Sequence, residues 1–200
     1  KGLIYRANRV MPYSWGAETP LSNFEIRLDD ATRPRQDPAL TIAFTLDDGT
    51  QLLAWTTTPW TLPSNLALAV GPAISYTQVR AEGQSADWIL GTDALDRYSR
   101  ELGEYTIIRE MTGSDLVGRT YKPILPYFAD HPDSFRVLSA AFVETGDGTG
   151  VVHMAPGFGE DDQTVSEANG ITMVVPVDDE GKFTSEVADW AGTNVFGANP

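Results

Sequence analysis

The stretch Thr41-Ile42-Ala43-Phe44-Thr45-Leu46-Asp47-Asp48-Gly49-Thr50-Gln51-Leu52-Leu53-Ala54-Trp55-Thr56-Thr57 carries the reading of the fold. Two runs rich in apolar and β-branched residues flank an Asp-Gly turn, the signature of a β-hairpin. The second run feeds directly into Thr58-Pro59-Trp60-Thr61-Leu62-Pro63-Ser64-Asn65. Pro59 has no N–H to give a ladder, so the strand stops there and leaves hydroxyls, an indole and an amide at its exit. Such an exit reads as the wall of a small-molecule pocket.

A second passage repeats the plan. Gly148-Thr149-Gly150-Val151-Val152-His153-Met154-Ala155-Pro156-Gly157-Phe158-Gly159-Glu160-Asp161-Asp162 is an apolar strand followed by a Gly/Pro turn that carries a histidine and carboxylates. Further strands are predicted at Leu66 to Val70, Tyr76 to Val79, Trp88 to Leu90, Thr106 to Ile108, Phe135 to Val143 and Thr172 to Val177. Many short strands with Gly, Pro and Asp between them favour a barrel or a sandwich. Helical signals are fewer. Thr92 can cap a helix through Leu102, with Leu95, Tyr98 and Leu102 on one face and Gly103 as the stop. A second short helix is predicted from about Asp161 to Ala168, ending near Asn169-Gly170. Asp29 to Pro38 reads as an exposed loop inside one domain that spans residues 1–200.

Composition excludes several classes of function. The chain has 200 residues, 42% of them hydrophobic, with 14 basic against 28 acidic side chains and a formal charge of −14. A broad cationic surface of the kind that holds phosphate backbones by counterion release is therefore absent. There is no cysteine and there are two histidines, His131 and His153, so disulfides, thiol nucleophiles and thiolate zinc sites do not arise. No apolar run approaches the roughly 20 residues needed to span a bilayer, which predicts a soluble protein with no membrane partner. The opening Lys1-Gly2-Leu3-Ile4-Tyr5-Arg6 begins mid-pattern and without methionine, which predicts a piece of a longer protein.

Several motifs fail. Gly148-Thr149-Gly150 lacks the third glycine of a dinucleotide fingerprint, and there is no phosphate loop. Asp178-Asp179-Glu180-Gly181 lacks the ligand alternation of a calcium loop and reads as a turn between strands. No serine sits in a nucleophile elbow. What survives has two readings at every position. Consecutive threonines are ordinary strand residues as well as site residues; Trp60 fits a core as well as a pocket, and Asn65 a turn as well as a contact. His153 after two valines fits a hydrogen-bonded core histidine, and Asp162 at a helix start fits a cap. From the residues alone, the chain holds a pocket with hydroxyls, an imidazole and an acid.

Taken together, these segments resemble the editing domain inserted in isoleucyl-tRNA synthetases, the connective-peptide insertion shared with the valyl and leucyl enzymes. The motifs that carry the resemblance are Trp55 to Asn65 and Gly148 to Asp162. Support comes from Met11-Pro12-Tyr13-Ser14, Thr19 to Glu25, Gly118 to Pro123 and Pro176 to Gly181, so the likeness spans nearly the whole chain. Valyl and leucyl relatives usually carry arginine at the position of Thr58 and lack the Pro59-Trp60 continuation. Met11 to Ser14 and Thr19 to Glu25 look more like the eukaryotic-type branch. Phe158 departs from the pattern, since many bacterial members have histidine there.

The resemblance implies a closed β-barrel with peripheral helices, excised from a larger synthetase, cytoplasmic and without a cofactor or metal of its own. It implies hydrolysis of mischarged Val-tRNA(Ile), and of valyl-adenylate. The partners it implies are the valine-bearing 3′ end of tRNA(Ile) and the remainder of the synthetase. Thr57, Thr58 and Asp162 are the implied catalytic set. Thr56, Trp60, Thr61, Asn65, His153, Met154, Gly157 and Phe158 are the implied substrate-binding set. The threonines would orient the ester and the attacking water, Asp162 would bind the α-ammonium, and His153 would exclude isoleucine. The competing readings are a non-catalytic module that binds the tRNA acceptor end, a free-standing trans-editing deacylase, and an unrelated acidic β-barrel esterase.

Overall fold

A computed structural model describes residues 2–199. Near the start, β1 (Tyr13–Ser14) and β2 (Thr19–Pro20) form a small hairpin of their own. The main sheet begins with the predicted hairpin, β3 (Leu40–Thr45) and β4 (Gln51–Thr56), paired antiparallel from Leu40↔Thr56 to Thr45↔Gln51. Its turn closes through Leu46 N to Thr50 O and Gly49 N to Leu46 O, and Gly49 takes φ +86°. A turn whose last residue lies in the left-handed region is what the Asp-Gly signal specifies. The sheet continues with β5 (Ala67–Val70), β6 (Ser75–Ala81), β7 (Trp88–Gly91), β8 (Tyr105–Thr112), β9 (Arg136–Ser139) and β10 (Val151–Met154).

The strand path runs β8-β6-β7-β4-β10-β5-β9, with β3 on the far edge of β4. The closed barrel expected from the resemblance is thus met in coarser form, as a mainly β, curled half-barrel whose path has two ends. The reason lies in β4. One side of this six-residue strand is shared between β7, paired at Gln51 and Leu52, and β10, paired at Trp55, so the sheet divides into two arms. The edges are partly covered by Arg119 to Lys122, whose backbone bonds both to Thr45 and Asp47 and to Phe135 and Val137.

β5 shows how the core is built. All four of its residues are buried, and alternation sends Leu68 and Val70 to one cluster with Phe44, Leu52, Tyr76 and Val137. Ala67 and Ala69 face the other cluster, with Leu138, Met154 and Ile171. A third cluster joins Leu53, Val79 and Leu90 to Ala94 and Leu102.

Two local expectations are corrected. The helix over Thr92–Leu102 is broken into a 3-10 turn at Thr92–Ala94 and a single turn α1 (Ser99–Leu102). Leu95, Tyr98 and Leu102 do pack on the sheet as predicted. Between them, Arg97 reaches away to the carbonyls of Thr145, Gly146 and Gly148, and Asp93 accepts from the Thr145 hydroxyl. Tertiary bonds to that loop override the helical period. Thr172 to Val177 is not a strand, for it finds no edge to pair with beyond the single bridge Val177↔Phe183. That bridge does bracket the predicted Asp178–Gly181 turn, where Gly181 has φ +72°. The helix α2 (Glu160–Ala168) stands where expected, and β9 ends earlier than expected, at Ser139. No helix among the described residues is long and apolar enough to cross a membrane.

Gly148 is the tightest joint between the Arg97-held loop and the sheet. It has φ +59°, and a Cβ there would lie 2.8 Å from the Trp55 ring. Gly148→Ala is expected to cost roughly 2–4 kcal/mol from overpacking and backbone strain. Gly146→Ala, where a Cβ meets open space, should cost less than about 1 kcal/mol. Urea unfolding of the two variants checks both, and equal midpoints would contradict the account.

Candidate functional site

β4 and β10 are parallel neighbours, so their C-terminal ends leave the sheet at the same edge. There Thr56, Thr57 and Thr58 come beside His153 and the start of α2. Between them lies a cavity of about 370 Å³, lined by Thr56, Thr57, Thr58, Trp60, Thr61, His153, Phe158 and Asp162 among the expected residues. Trp55, Val152, Ala155 and Gly159 complete the lining, and sequence reasoning had given them no role. Three expected residues do not line it. Met154 is fully buried in the core, because alternation along β10 turns it away from the face of His153. Gly157 is instead a packing joint, where a Cβ would lie 2.3 Å from the Val174 carbonyl oxygen. Asn65 sits behind His153.

The threonine loop folds because Pro59 begins a 3-10 helix, Pro59–Ser64, its fixed φ suited to a first helical position. Within it the Thr58 carbonyl accepts from Thr61 N at 3.0 Å and from Thr61 Oγ1 at 2.8 Å. Thr58 N donates to Thr56 Oγ1 at 3.1 Å. The Thr58 hydroxyl itself has only long approaches, 3.4 Å to Thr56 Oγ1 and 3.5 Å to Thr61 Oγ1. Thr58 is exposed and lines the cavity, so this weakly held hydroxyl can bind there. Trp60 and Phe158 form one wall edge to face, with ring centroids 4.9 Å apart, so the departure at Phe158 makes that wall apolar.

His153 is almost wholly buried, and both ring nitrogens are engaged. Nε2 lies 2.9 Å from Thr61 Oγ1, and Nδ1 lies 2.8 Å from Asn65 Nδ2. Burial holds its pKa down to about 4. A neutral imidazole with no free lone pair is not poised to act as a general base. Asp162 is the one carboxylate on the cavity wall. Burial raises its pKa, while the hydrogen bond that its Oδ2 accepts from Ala155 N, at 2.9 Å, acts in the opposite sense. Gly159 leaves room for this fold-back, since a Cβ there would lie 2.8 Å from the Asp162 carboxyl carbon. The next residue on α2, Gln163, is buried and accepts from Val10 N and donates to Asn8 O, each at 2.9 Å.

The arrangement has hydroxyls without a base and one acid without a metal-ligand partner set. Its chemistry is positioning: the threonines can orient a water and a carbonyl, and Asp162 can hold a cation. A second cleft, of about 290 Å³, lies between the β3–β4 turn and the β6–β7 loop. Its Arg80 and Asp87 neutralise each other across 2.7 Å, and it holds no comparable set.

A family model described as tRNA synthetases class I (I, L, M and V) matches residues 1–144. Over its full length the chain is similar to isoleucine–tRNA ligases, 49% identical to that of Rickettsia felis and 51% identical to that of Corynebacterium diphtheriae. It spans 20% and 21% of those proteins, about a fifth of their length. Among solved structures it is similar to the P. knowlesi cytosolic leucyl-tRNA synthetase editing domain, at 14% identity and a TM-score of 0.55 over 68% of this chain and 63% of that one. That likeness is one of fold.

The buried histidine makes stability depend on pH. In the unfolded chain it takes up a proton near its ordinary value of 6.5, in the folded chain only near 4. Stability is therefore lost as pH falls from about 6.5 to about 4, by roughly 2–4 kcal/mol from this group. Asp162, with a raised carboxyl, acts in the opposite sense, since its contribution falls as pH rises above 3.8. Urea midpoints at about pH 7 and about pH 4.5 should differ more in the wild type than in His153→Gln. Parallel pH profiles would contradict the assignment.

Proposed function

This chain belongs to the class I tRNA synthetases of the I, L, M and V group, and from that premise we propose that it is the segment that hydrolyses the aminoacyl ester of mischarged Val-tRNA(Ile). Valyl-adenylate is a further substrate of the same pocket. The observation that carries the reading is the convergence of Thr57, Thr58, His153 and the one carboxylate Asp162 on a single cavity at the joint exit of two strands.

The reaction needs a water oxygen to bond to the ester carbonyl carbon while the bond to the ribose oxygen breaks and that oxygen takes a proton. An aminoacyl ester is already activated, so no protein nucleophile is required. Thr58, with its hydroxyl free and its backbone held by Thr61 and Thr56, orients the carbonyl and the water. Thr57, exposed at the rim, adds a second hydroxyl. Asp162 holds the α-ammonium by a charge-assisted hydrogen bond and thereby fixes which face of the carbonyl meets the water. The proposed reaction uses no cofactor.

A second site is needed because one methylene gives only about 1–3 kcal/mol of discrimination, an established magnitude for isoleucyl enzymes themselves. His153, Trp60 and Phe158 would form the wall that rejects the larger side chain. The reading also fits the charge of −14: phosphate-backbone affinity would come from the rest of the synthetase, and only the 3′ end would enter here.

Asp162→Asn keeps the size and the acceptor for Ala155 N but removes the charge. In the full-length synthetase it should slow single-turnover release of valine from Val-tRNA(Ile) by roughly 10- to 100-fold, the worth of one charged hydrogen bond. An unchanged rate would remove Asp162 from the mechanism. A wild-type enzyme that bound the acceptor end without ester loss would leave a binding module.

A further inference from the structure

Asn65 was expected to touch substrate, yet it lies behind the cavity wall. Its side chain makes three bonds there. Oδ1 accepts from the Tyr121 hydroxyl at 2.7 Å, and Nδ2 donates to the Ala67 carbonyl at 2.9 Å and to His153 Nδ1 at 2.8 Å. Asn65, Tyr121 and His153 are each at least nine-tenths buried, so every one of these groups needs its partner.

The chemistry of the partners fixes the direction of each bond. A backbone carbonyl can only accept, so the amide nitrogen of Asn65 must face Ala67 and the oxygen must face Tyr121. With both amide hydrogens placed, His153 Nδ1 receives one of them and cannot itself carry a proton. The imidazole is then the Nε2–H tautomer, and it donates to Thr61 Oγ1. That oxygen accepts from Nε2 and gives its own hydrogen to the Thr58 carbonyl, which can only accept. A one-way chain of donors runs from Tyr121 through Asn65, His153 and Thr61 to the backbone of Thr58.

We propose that Asn65 is a positioning residue for Thr58: its amide, anchored by the Ala67 carbonyl and the Tyr121 hydroxyl, locks His153 in one tautomer and through Thr61 holds the Thr58 backbone toward the cavity. This rests on the reading of Thr58 as the residue that orients the ester. If the imidazole carried its proton on Nδ1 instead, Nε2 would become an acceptor and would draw the Thr61 hydroxyl away from Thr58. The loop would lose one of the two bonds on that carbonyl, and the free hydroxyl of Thr58 would lose its fixed aim. Tyr121 supports the lock from the far side of the amide, its ring seated edge to face against Phe44 and Phe135 at 5.3 and 5.9 Å.

The test begins with nitrogen NMR on the histidine-labelled chain, whose two histidines are His131 and His153. The wild type should show His153 protonated at Nε2 alone; a mixture of tautomers, or protonation at Nδ1, would overturn the lock. Asn65→Asp can still accept from Tyr121 but has no hydrogen to give, so His153 should become protonated at Nδ1. Persistence of the Nε2–H form alone would count against the proposal. Thr61→Val is the variant that separates the links: His153 should keep its tautomer, because Asn65 still sets it, while valine release in the full-length synthetase slows at least about tenfold. A Thr61→Val enzyme with wild-type kinetics would break the connection to Thr58 even if the tautomer behaves as expected. The double variant should be no slower than the slower single one, whereas multiplied effects would mean two separate routes. If the wild-type synthetase releases no valine, the functional reading fails while the tautomer measurement stands by itself. If Asn65→Asp does not fold, the wild-type spectrum and Thr61→Val still decide.

Discussion

The parallel pairing of β4 with β10, at Trp55↔Val152, is the constraint on which the rest of the site depends. Parallel neighbours end at the same edge of a sheet; antiparallel neighbours end at opposite edges. Had β10 run the other way, His153 and the turn to α2 would lie a strand length from the threonines. The pairing joins segments about a hundred residues apart and has no local signal. It is supported from the other side by β5, which pairs with β10 over four positions, and by the glycine joint at Gly148 that lets the incoming loop lie flat on Trp55. Contacts of this range carry a loop-closure cost that is repaid only once the neighbouring strands are present.

What the sequence made legible is what local chemistry decides. The hairpin with its left-handed Gly49, the 3-10 exit forced by Pro59, the start of α2 and the turn at Asp178–Gly181 each follow from residues within a few positions of one another. What it did not make legible depends on distant partners. Arg97 breaks a helix because three carbonyls of another loop attract it, and Thr172 to Val177 pairs only through the single bridge Val177↔Phe183. Met154 is a different case. Strand alternation alone puts it on the opposite face from His153, so its place in the core is readable from the sequence. Asn65 and Tyr121 are 56 positions apart, and no periodicity in either segment announces their contact.

The electrostatics of the site follow from burial more than from charge. An imidazole without water around it and with both nitrogens occupied becomes a rigid neutral wall, and a carboxylate partly withdrawn from water becomes harder to ionise unless a cation approaches. Both shifts favour a pocket that selects by shape and by a single positive group. In a chain that carries 28 acidic side chains, one half-buried carboxylate in an otherwise uncharged cavity is a local exception to the surface around it.

The bonds of Gln163 to Val10 and Asn8 give α2 a tether that crosses most of the chain's length. The tether imitates a strand pairing with a side-chain amide in place of a second backbone. Because Gln163 follows Asp162 directly on a helix of nine residues, the early segment is fastened to the same turn that carries the carboxylate. The first turn of α2 is thus held from two sides, by the bond of Asp162 to Ala155 N and by the bonds of Gln163 to a segment near the other end of the chain.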